Sequence, residues 1–350
     1  MSTAPLRAAV VGAGAWGTAL ADLLARNGHD TVLWAREPDV VAGINERHEN
    51  ARFLAGVPLA PALRASADVR DAVDGREFVL FAPPSHVLRA VVTSAVEALA
   101  PDATLAVASK GVERDTLAVM TDVVADAAPG RPVVAVSGPS FAAEVARRHP
   151  TAVVAASGDV AAAERAQRAL STAEFRVYTH DDVLGVELGG ALKNVMAVAT
   201  GMVEGLGLGY NSRAALITRG LAEMTRLGVA LGARSATFAG LAGMGDLVLT
   251  CTGALSRNRA VGEEIGRGRS LAEVLTGRET VAEGVLNAQS ARALADRAGV
   301  EMPIVNAVHR VLFEGEPVAN GVGELMRRAP RAEQDERTLP DVRGSMQGHA

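Results

Sequence analysis

The chain has 350 residues, 49% of them apolar and 21% charged, and a formal charge of −5. That length suits about two domains, each able to bury its own core, and the composition is that of a globular protein rather than a disordered or membrane-embedded one. The acidic balance, with no sustained basic run before Arg327-Arg328-Ala-Pro-Arg331, argues against a nucleic-acid binder, and the single cysteine, Cys251, excludes an intrachain disulfide and suits a reducing, cytoplasmic setting.

Short apolar, β-branched runs predict strands over 7–11, 30–35, 78–82, 104–109, 132–136, 151–156 and 175–178. Helical patterns fill most gaps between them, for example over 16–27, 86–99 and 160–170. Strand–helix alternation at this spacing predicts an α/β, Rossmann-type doubly wound sheet over residues 1–185. The amino terminus carries no secretory pattern, since its apolar run begins at Ala8 and passes straight into glycines. After Asp181 the strand signal stops, and helices are expected over 183–203, 212–227, 257–266, 282–297 and 303–312, giving an all-α second domain over 186–328. The run 183–203 is apolar enough to resemble a membrane span, but Glu187, Lys193, Asn194 and four glycines point to a tightly packed helix inside a globular protein. Beyond Arg328 the apolar period is lost, so 329–350 reads as a disordered tail.

The first strand opens into Gly12-Ala13-Gly14-Ala15-Trp16-Gly17 and then a helix. The first glycine makes the tight turn, the second admits a pyrophosphate to the backbone N–H groups, and the third lets helix pack on strand. Strand, loop and helix in that order predict a dinucleotide site. At the end of the second strand Arg36 stands first, able to accept a 2′-phosphate, with Glu37 beside it, so both NADPH and NADH fit. The later strands end at Phe81-Ala-Pro-Pro-Ser85, Ser109-Lys110-Gly111 and Ser137-Gly-Pro-Ser140, and carboxyl ends of parallel strands form the ligand crevice.

Only two lysines, Lys110 and Lys193, stand among 35 basic residues; the other thirty-three are arginines. An ammonium can be moved toward neutral pKa by burial or a neighbouring cation, whereas a guanidinium stays charged, so the surviving lysines are candidates for proton chemistry. In 183–203 the only charges are Glu187 and Lys193, about 120° apart around a helix, so they do not pair directly. Lys193 is thus expected in a partly desolvated polar cavity, poised to protonate a carbonyl oxygen. Ser256-Arg257-Asn258-Arg259 reads as a helix start whose two cations oppose the helix dipole unless an anion such as a phosphate sits among them. Upstream, Gly240-Leu-Ala-Gly243-Met-Gly245-Asp246 reads as too rich in glycine for a regular element, with Asp246 and Thr250 as candidate polar partners for a substrate or the lysine. The seven histidines form no HExxH or Cys/His cluster, so no metal site is proposed, and Cys251 reads as a buried residue.

Together these motifs resemble the bacterial NAD(P)-dependent sn-glycerol-3-phosphate dehydrogenase family, through Gly12-Ala-Gly-Ala-Trp-Gly-Thr-Ala-Leu20, Ser109-Lys-Gly111, Ser137-Gly-Pro-Ser-Phe-Ala142, Glu187–Asn194, Gly240–Thr250, Ser256-Arg-Asn258 and Val281-Ala-Glu-Gly284. The resemblance implies a Rossmann domain followed by a helical one, and reduction of dihydroxyacetone phosphate to sn-glycerol 3-phosphate, a phospholipid precursor, by NADH or NADPH. It implies Lys193 as the catalytic proton donor, with Lys110, Gly138, Ser140, Lys193, Asp246, Ser256, Arg257 and Asn258 around the substrate. It further implies Gly12, Gly14, Ala15, Trp16, Gly17, Arg36, Phe53, Lys110, Ala142, Arg257, Val281 and Glu283 around the dinucleotide. Ala15 stands where Ser is frequent, and the single Arg36 stands where many relatives have two basic residues, so strict NADPH preference is not implied. Expected partners are a small-molecule substrate and a second copy of the chain through the helical domain, with neither nucleic acid nor membrane insertion. Two other readings share parts of the pattern: a two-domain β-hydroxyacid dehydrogenase, which needs a carboxylate site, and a non-catalytic dinucleotide sensor, which gives no reason for the two lysines.

Overall fold

The computed structural model describes residues 5–277, 282–330 and 332–333. The expected tail therefore falls mostly outside the described residues, and Val281 falls outside them altogether.

Among the described residues eight strands form one sheet: β1 (Arg7–Val11), β2 (Asp30–Trp34), β3 (Arg64–Ser66), β4 (Phe78–Phe81), β5 (Thr104–Val107), β6 (Val133–Ser137), β7 (Thr151–Ala156) and β8 (Phe175–His180). Their order is β3-β2-β1-β4-β5-β6-β7-β8. All neighbouring pairs are parallel except β6–β7, which runs antiparallel. The central strands are buried on both faces, which is why they read as continuous apolar runs rather than alternating ones. Ala8, Val10, Leu33, Phe78, Leu80, Ala106 and Val134 point into one core, and Ala9, Val11, Val79, Phe81, Leu105 and Val107 into the other. Helices Ala15–Arg26 and Val160–Leu170 supply residues to the first core. Helices Leu88–Ala95 and Met120–Ala127 supply residues to the second.

Strand β3 is absent from the sequence expectation. Its three residues, Arg64-Ala65-Ser66, carry no apolar run, and at the sheet edge they are placed by pairing with β2 rather than by burial.

Beyond His180 the described chain is helical. The long helix Val183–Gly205 begins with Asp182, whose side chain accepts from Gly185 N–H at 3.0 Å. It is long and apolar enough to cross a membrane, yet 89% of its apolar window is buried inside the protein. Around it pack Tyr210–Ala230, Asp246–Thr252, Arg257–Gly266, Glu283–Ala298 and Pro303–Phe313.

Glycines let this helix approach its neighbours backbone to backbone. A Cβ on Gly201 would lie 2.0 Å from Arg259 O, and one on Gly262 would lie 2.0 Å from Val198 O. The segment around Gly243, expected to be irregular, is instead a π-helical turn, Leu241–Gly245, running directly into Asp246–Thr252. Its glycines serve contact rather than flexibility: a Cβ on Gly243 would meet Phe238 O at 2.2 Å. The long helix answers with Gly189, whose Cβ would meet Ala242 O at 2.6 Å.

This packing is testable. Gly201→Ala should lower stability by about 1–3 kcal/mol or more through overpacking, whereas Gly158→Ala, where a Cβ meets nothing within 4 Å, should leave it nearly unchanged. Urea unfolding midpoints of the two variants check this, and equal midpoints would contradict the contact.

Candidate active site

The loops after β5 and β6 and the long helix converge at the carboxyl edge of the sheet. Gly190 permits the approach, since a Cβ there would lie 2.7 Å from Ser137 Oγ and 3.5 Å from the Lys110 side chain. Gly138 follows β6 with φ +141°, and a Cβ on it would sit 2.9 Å from Val153 Cα, so only glycine fits this turn.

Both lysines end on one carboxylate. Lys110 Nζ donates to Asp246 Oδ2 at 2.6 Å and to the Gly138 carbonyl at 3.1 Å. Lys193 Nζ donates to Asp246 Oδ1 at 2.7 Å and to Thr250 Oγ1 at 2.8 Å. An ammonium has three N–H donors, so each lysine keeps one without an acceptor among the described residues. Asp246 is 1% exposed and Lys193 8%. Burial pulls the Lys193 ammonium down to about 8; Asp246 opposes this and the Lys110 charge assists it. Burial alone would raise Asp246, but the two ammonium groups outweigh it and hold the carboxyl below its ordinary value.

One residue further along the long helix, Asn194 Oδ1 accepts from Asn258 Nδ2 at 2.9 Å, while Asn258 Oδ1 accepts from Gly284 N–H at 3.0 Å. The start of helix Arg257–Gly266 is thereby pinned beside Lys193. Ser256 caps it, its hydroxyl oxygen accepting from Arg259 N–H at 3.2 Å. The expected pair of arginines divides. Arg259 turns to Glu204 at 2.6 Å and Glu263 at 3.4 Å, so it does not face the site. Arg257 is exposed and has no hydrogen bond or ion pair among the described residues, with Glu283 as its electrostatic neighbour.

Glu283 itself is engaged across the seam. Its carboxylate accepts from Ser85 N–H at 3.0 Å and Ser85 Oγ at 2.5 Å, and burial raises its pKa. Glu187 makes a second such link: it accepts from Thr121 N–H at 3.0 Å and from the Thr121 hydroxyl, and burial pushes it up to about 7. A small cavity lined by Ser109, Lys110, Gly111, Ser137 and Glu187 adjoins it, and Ser137 Oγ is buried without a partner among the described residues. Ser140 Oγ donates to Gly138 O at 2.9 Å.

At the glycine loop, Gly12 has φ +114° and its Cβ would sit 2.9 Å from Pro83 N; a Cβ on Gly17 would sit 1.9 Å from Gly12 O. A Cβ on Gly14 would meet nothing within 4 Å, so that space is open for a ligand's approach to the helix N-terminus. Helix Ala15–Arg26 has no acid in its first turn and no side-chain cap, and Trp16 Nε1 is buried without a partner among the described residues. Unmet donors and an open backbone suit a pyrophosphate. Phe53 is tied to this loop by Asn50, whose Oδ1 accepts from Phe53 N–H and whose Nδ2 donates to Ala13 O at 2.9 Å. Ala142 packs partly buried against the same core. Arg36, at the end of β2, is 82% exposed at its side chain and bound to Glu37.

Asn50, Asn194, Ser85 and Thr121 were not singled out by sequence reasoning. Each acts by holding another residue; Asn194, next to Lys193 in a nearly uncharged helix, and Ser85, at the end of a crevice-forming segment, left a trace in the pattern.

Two family profiles match. One described as NAD-dependent glycerol-3-phosphate dehydrogenase N-terminus covers residues 7–163, and the corresponding C-terminus profile covers 182–322. A glycerol-3-phosphate dehydrogenase (NAD(P)+) of Geobacter sulfurreducens is 55% identical over 330 residues, 93% of this chain and 98% of that one. One from Myxococcus xanthus is 50% identical over 331 residues, 94% of this chain and 99% of that one. The crystal structure of glycerol-3-phosphate dehydrogenase from Coxiella burnetii superposes with a TM-score of 0.89 at 40% identity, covering 93% of this chain and 99% of that one.

Because the chain has two lysines, 15N labelling of lysine yields two Nζ signals. The one lost in Lys193→Met should titrate near 8, and Asp246→Asn should move it lower. The folded pKa lies below the unfolded 10.5, so the charged form is the disfavoured one. This group's contribution to stability should therefore grow as pH rises from about 8 to 10.5. A Lys193 signal titrating above 10 would refute the desolvated setting.

Proposed function

The chain belongs to the NAD-dependent glycerol-3-phosphate dehydrogenase family, and from that premise we propose how its own residues carry the reaction. It is an oxidoreductase that reduces dihydroxyacetone phosphate to sn-glycerol 3-phosphate with NADH or NADPH, and reverses it. When bound, the reduced nicotinamide supplies the hydride that reaches the carbonyl carbon.

The observation that carries the proposal is the shared Asp246 carboxylate, which leaves each lysine one free N–H at the same edge of the sheet. Lys193 gives its proton to the carbonyl oxygen as charge develops there, and takes it back in the reverse direction. Near-neutral pKa suits both directions. Asp246 and Thr250 hold that ammonium in place, and neutral Lys193 after transfer keeps Thr250 and Asp246 as partners. Lys110 stands beside the carbonyl and stabilises the developing oxyanion. Arg257, with the Asn258 amide and the Ser256 hydroxyl at the helix start, holds the phosphate. Gly138 and Ser140 complete the wall of the substrate site. Gly12, Gly14, Ala15, Trp16, Gly17, Arg36, Phe53, Ala142 and Glu283 would hold the dinucleotide, with Val281 in the same role and outside the described residues. We place the division between cofactor-binding and helical domains near residue 185. The reading extends to supply of glycerol phosphate for phospholipid synthesis in the cytoplasm, by a chain that pairs with a second copy through its helical part and does not insert into membrane.

A substrate panel tests this. Dihydroxyacetone phosphate should consume NADH or NADPH absorbance, and unphosphorylated dihydroxyacetone should do so at least ~100-fold less efficiently. Lys193→Met should lower kcat by roughly 10²–10⁴-fold while dinucleotide binding persists; near-normal turnover would remove Lys193 from the role. The protonated lysine is required for reduction, so that rate should fall as pH rises through about 8. The oxidation rate should rise over the same interval. Arg257→Ala should act mainly on the KM of the phosphorylated substrate.

A further inference from the structure

At the end of β2 the only guanidinium expected to meet the adenosine ribose is not free. Arg36 Nε and Nη2 both donate to one oxygen of Glu37, at 3.1 and 2.7 Å. The two side chains differ in setting, for Arg36 is 82% exposed and Glu37 only 17%. Of the next two arginines along the chain, Arg47 lies 2.9 Å from Glu49, and Arg52 stands 5.3 Å over the Phe53 ring and 3.7 Å from Asp39. Arg36 and Arg52 each already have a carboxylate beside them.

We propose that Glu37 sets the choice between the two dinucleotides, favouring NADH over NADPH. The inference rests on the dinucleotide site described above and not on the identity of the substrate. An exposed ion pair is itself worth little, so the tether alone is no barrier to a 2′-phosphate. What counts is the charge left behind. To take Arg36, a 2′-phosphate must strip the cation from a carboxylate that is mostly out of water, and then lie next to it. Like charges side by side are costly. A ribose 2′-hydroxyl faces the opposite balance: it can donate to Glu37 Oε2, for which no hydrogen bond is described, while Arg36 stays where it is. One pair of neighbouring side chains thus rewards the hydroxyl and penalises the phosphate, although the arginine taken alone points the other way.

Direct binding decides the matter without any substrate. NADH and NADPH are titrated into the full chain by nucleotide fluorescence, and AMP and adenosine 2′,5′-bisphosphate are used as competitors. The wild type should hold NADH more tightly than NADPH. Glu37→Gln keeps the size and the hydrogen-bonding oxygen but not the charge. It should shift the NADPH-to-NADH affinity ratio toward NADPH by about tenfold, which is about 1.4 kcal/mol. Glu37→Ala should shift it in the same direction, and the bisphosphate should gain on AMP in both variants. Arg36→Ala should weaken NADPH more than NADH. A ratio within twofold of wild type in both Glu37 variants, each still melting as a folded protein, overturns the proposal. So does a wild type that already favours NADPH. Loss of dihydroxyacetone phosphate reduction with these ratios intact would instead refute the substrate assignment and leave the role of Glu37 standing.

Discussion

The structure depends on a carboxylate that two parts of the chain share. Asp246, on a short helix of the helical part, holds Lys110 from the end of β5 and Lys193 from the long helix, at 2.6 and 2.7 Å. Two buried charges and a half-buried third, with a net positive balance, are expensive to desolvate, and such a cluster is poor evidence for stability. Its value is positional. Removing the carboxylate would leave two ammonium groups facing one another, and removing either lysine would leave the rest of the cluster in place with different charge. The sheet and the helices are thus held in one relative arrangement by groups that also need an anionic or carbonyl partner to complete their hydrogen bonding. Glu187 on Thr121 and Glu283 on Ser85 reinforce the same seam. In both, burial favours the neutral carboxyl, so the links can persist as hydrogen bonds without requiring charge.

Close approach of backbone to backbone makes this convergence geometrically available. Aromatic residues are only 3% of the chain, while glycines number 36. Gly189 and Gly190 bring the long helix against the Leu241–Gly245 turn and against the β5 and β6 loops. Gly201 and Gly205 bring the helix that starts at Arg257 against its second half. A side chain at Gly190 would press on Ser137 and Lys110, and one at Gly201 would push away the helix carrying Arg257. The two elements proposed to face the substrate are therefore set by what these positions lack.

Much of this was legible in advance, for identifiable reasons. Strands such as β1 and β4 are buried on both faces and so appear as unbroken apolar runs. The helices over Val160–Leu170 and Arg257–Gly266 carry clear caps in Asp159 and Ser256. Where tertiary contact overrides local pattern, the reading failed. Strand β3 exists because β2 offers an edge, and the 241–245 turn is helical because its glycines are clamped against Phe238 and the long helix. The site shows the same division. Lys193 and Lys110 stood out because their chemistry is rare in this chain. Arg257 and Arg259 looked alike in sequence, and it is Glu204, more than fifty residues away, together with Glu263 that pairs Arg259, while Arg257 has no such partner among the described residues.

The proposed chemistry gives a reason for two lysines in a chain otherwise given to arginine. Arg259 and Arg89 use the planar fork to bind carboxylates, Arg89 reaching Glu113 with two parallel hydrogen bonds of 2.8 Å. A guanidinium is suited to such permanent pairing because it does not release its proton. In the role proposed for Lys193 the requirement is reversed. The group must be held in place while charged and must stay in place once the proton has gone, and a single nitrogen between Asp246 and Thr250 can do both, donating to the carboxylate in one state and accepting from the hydroxyl in the other. Arginine at 193 would find the same carboxylate and bind it more firmly, but it would have no proton to give near neutral pH. On that proposal the residue type is fixed by what the site must lose during the reaction rather than by what it must hold.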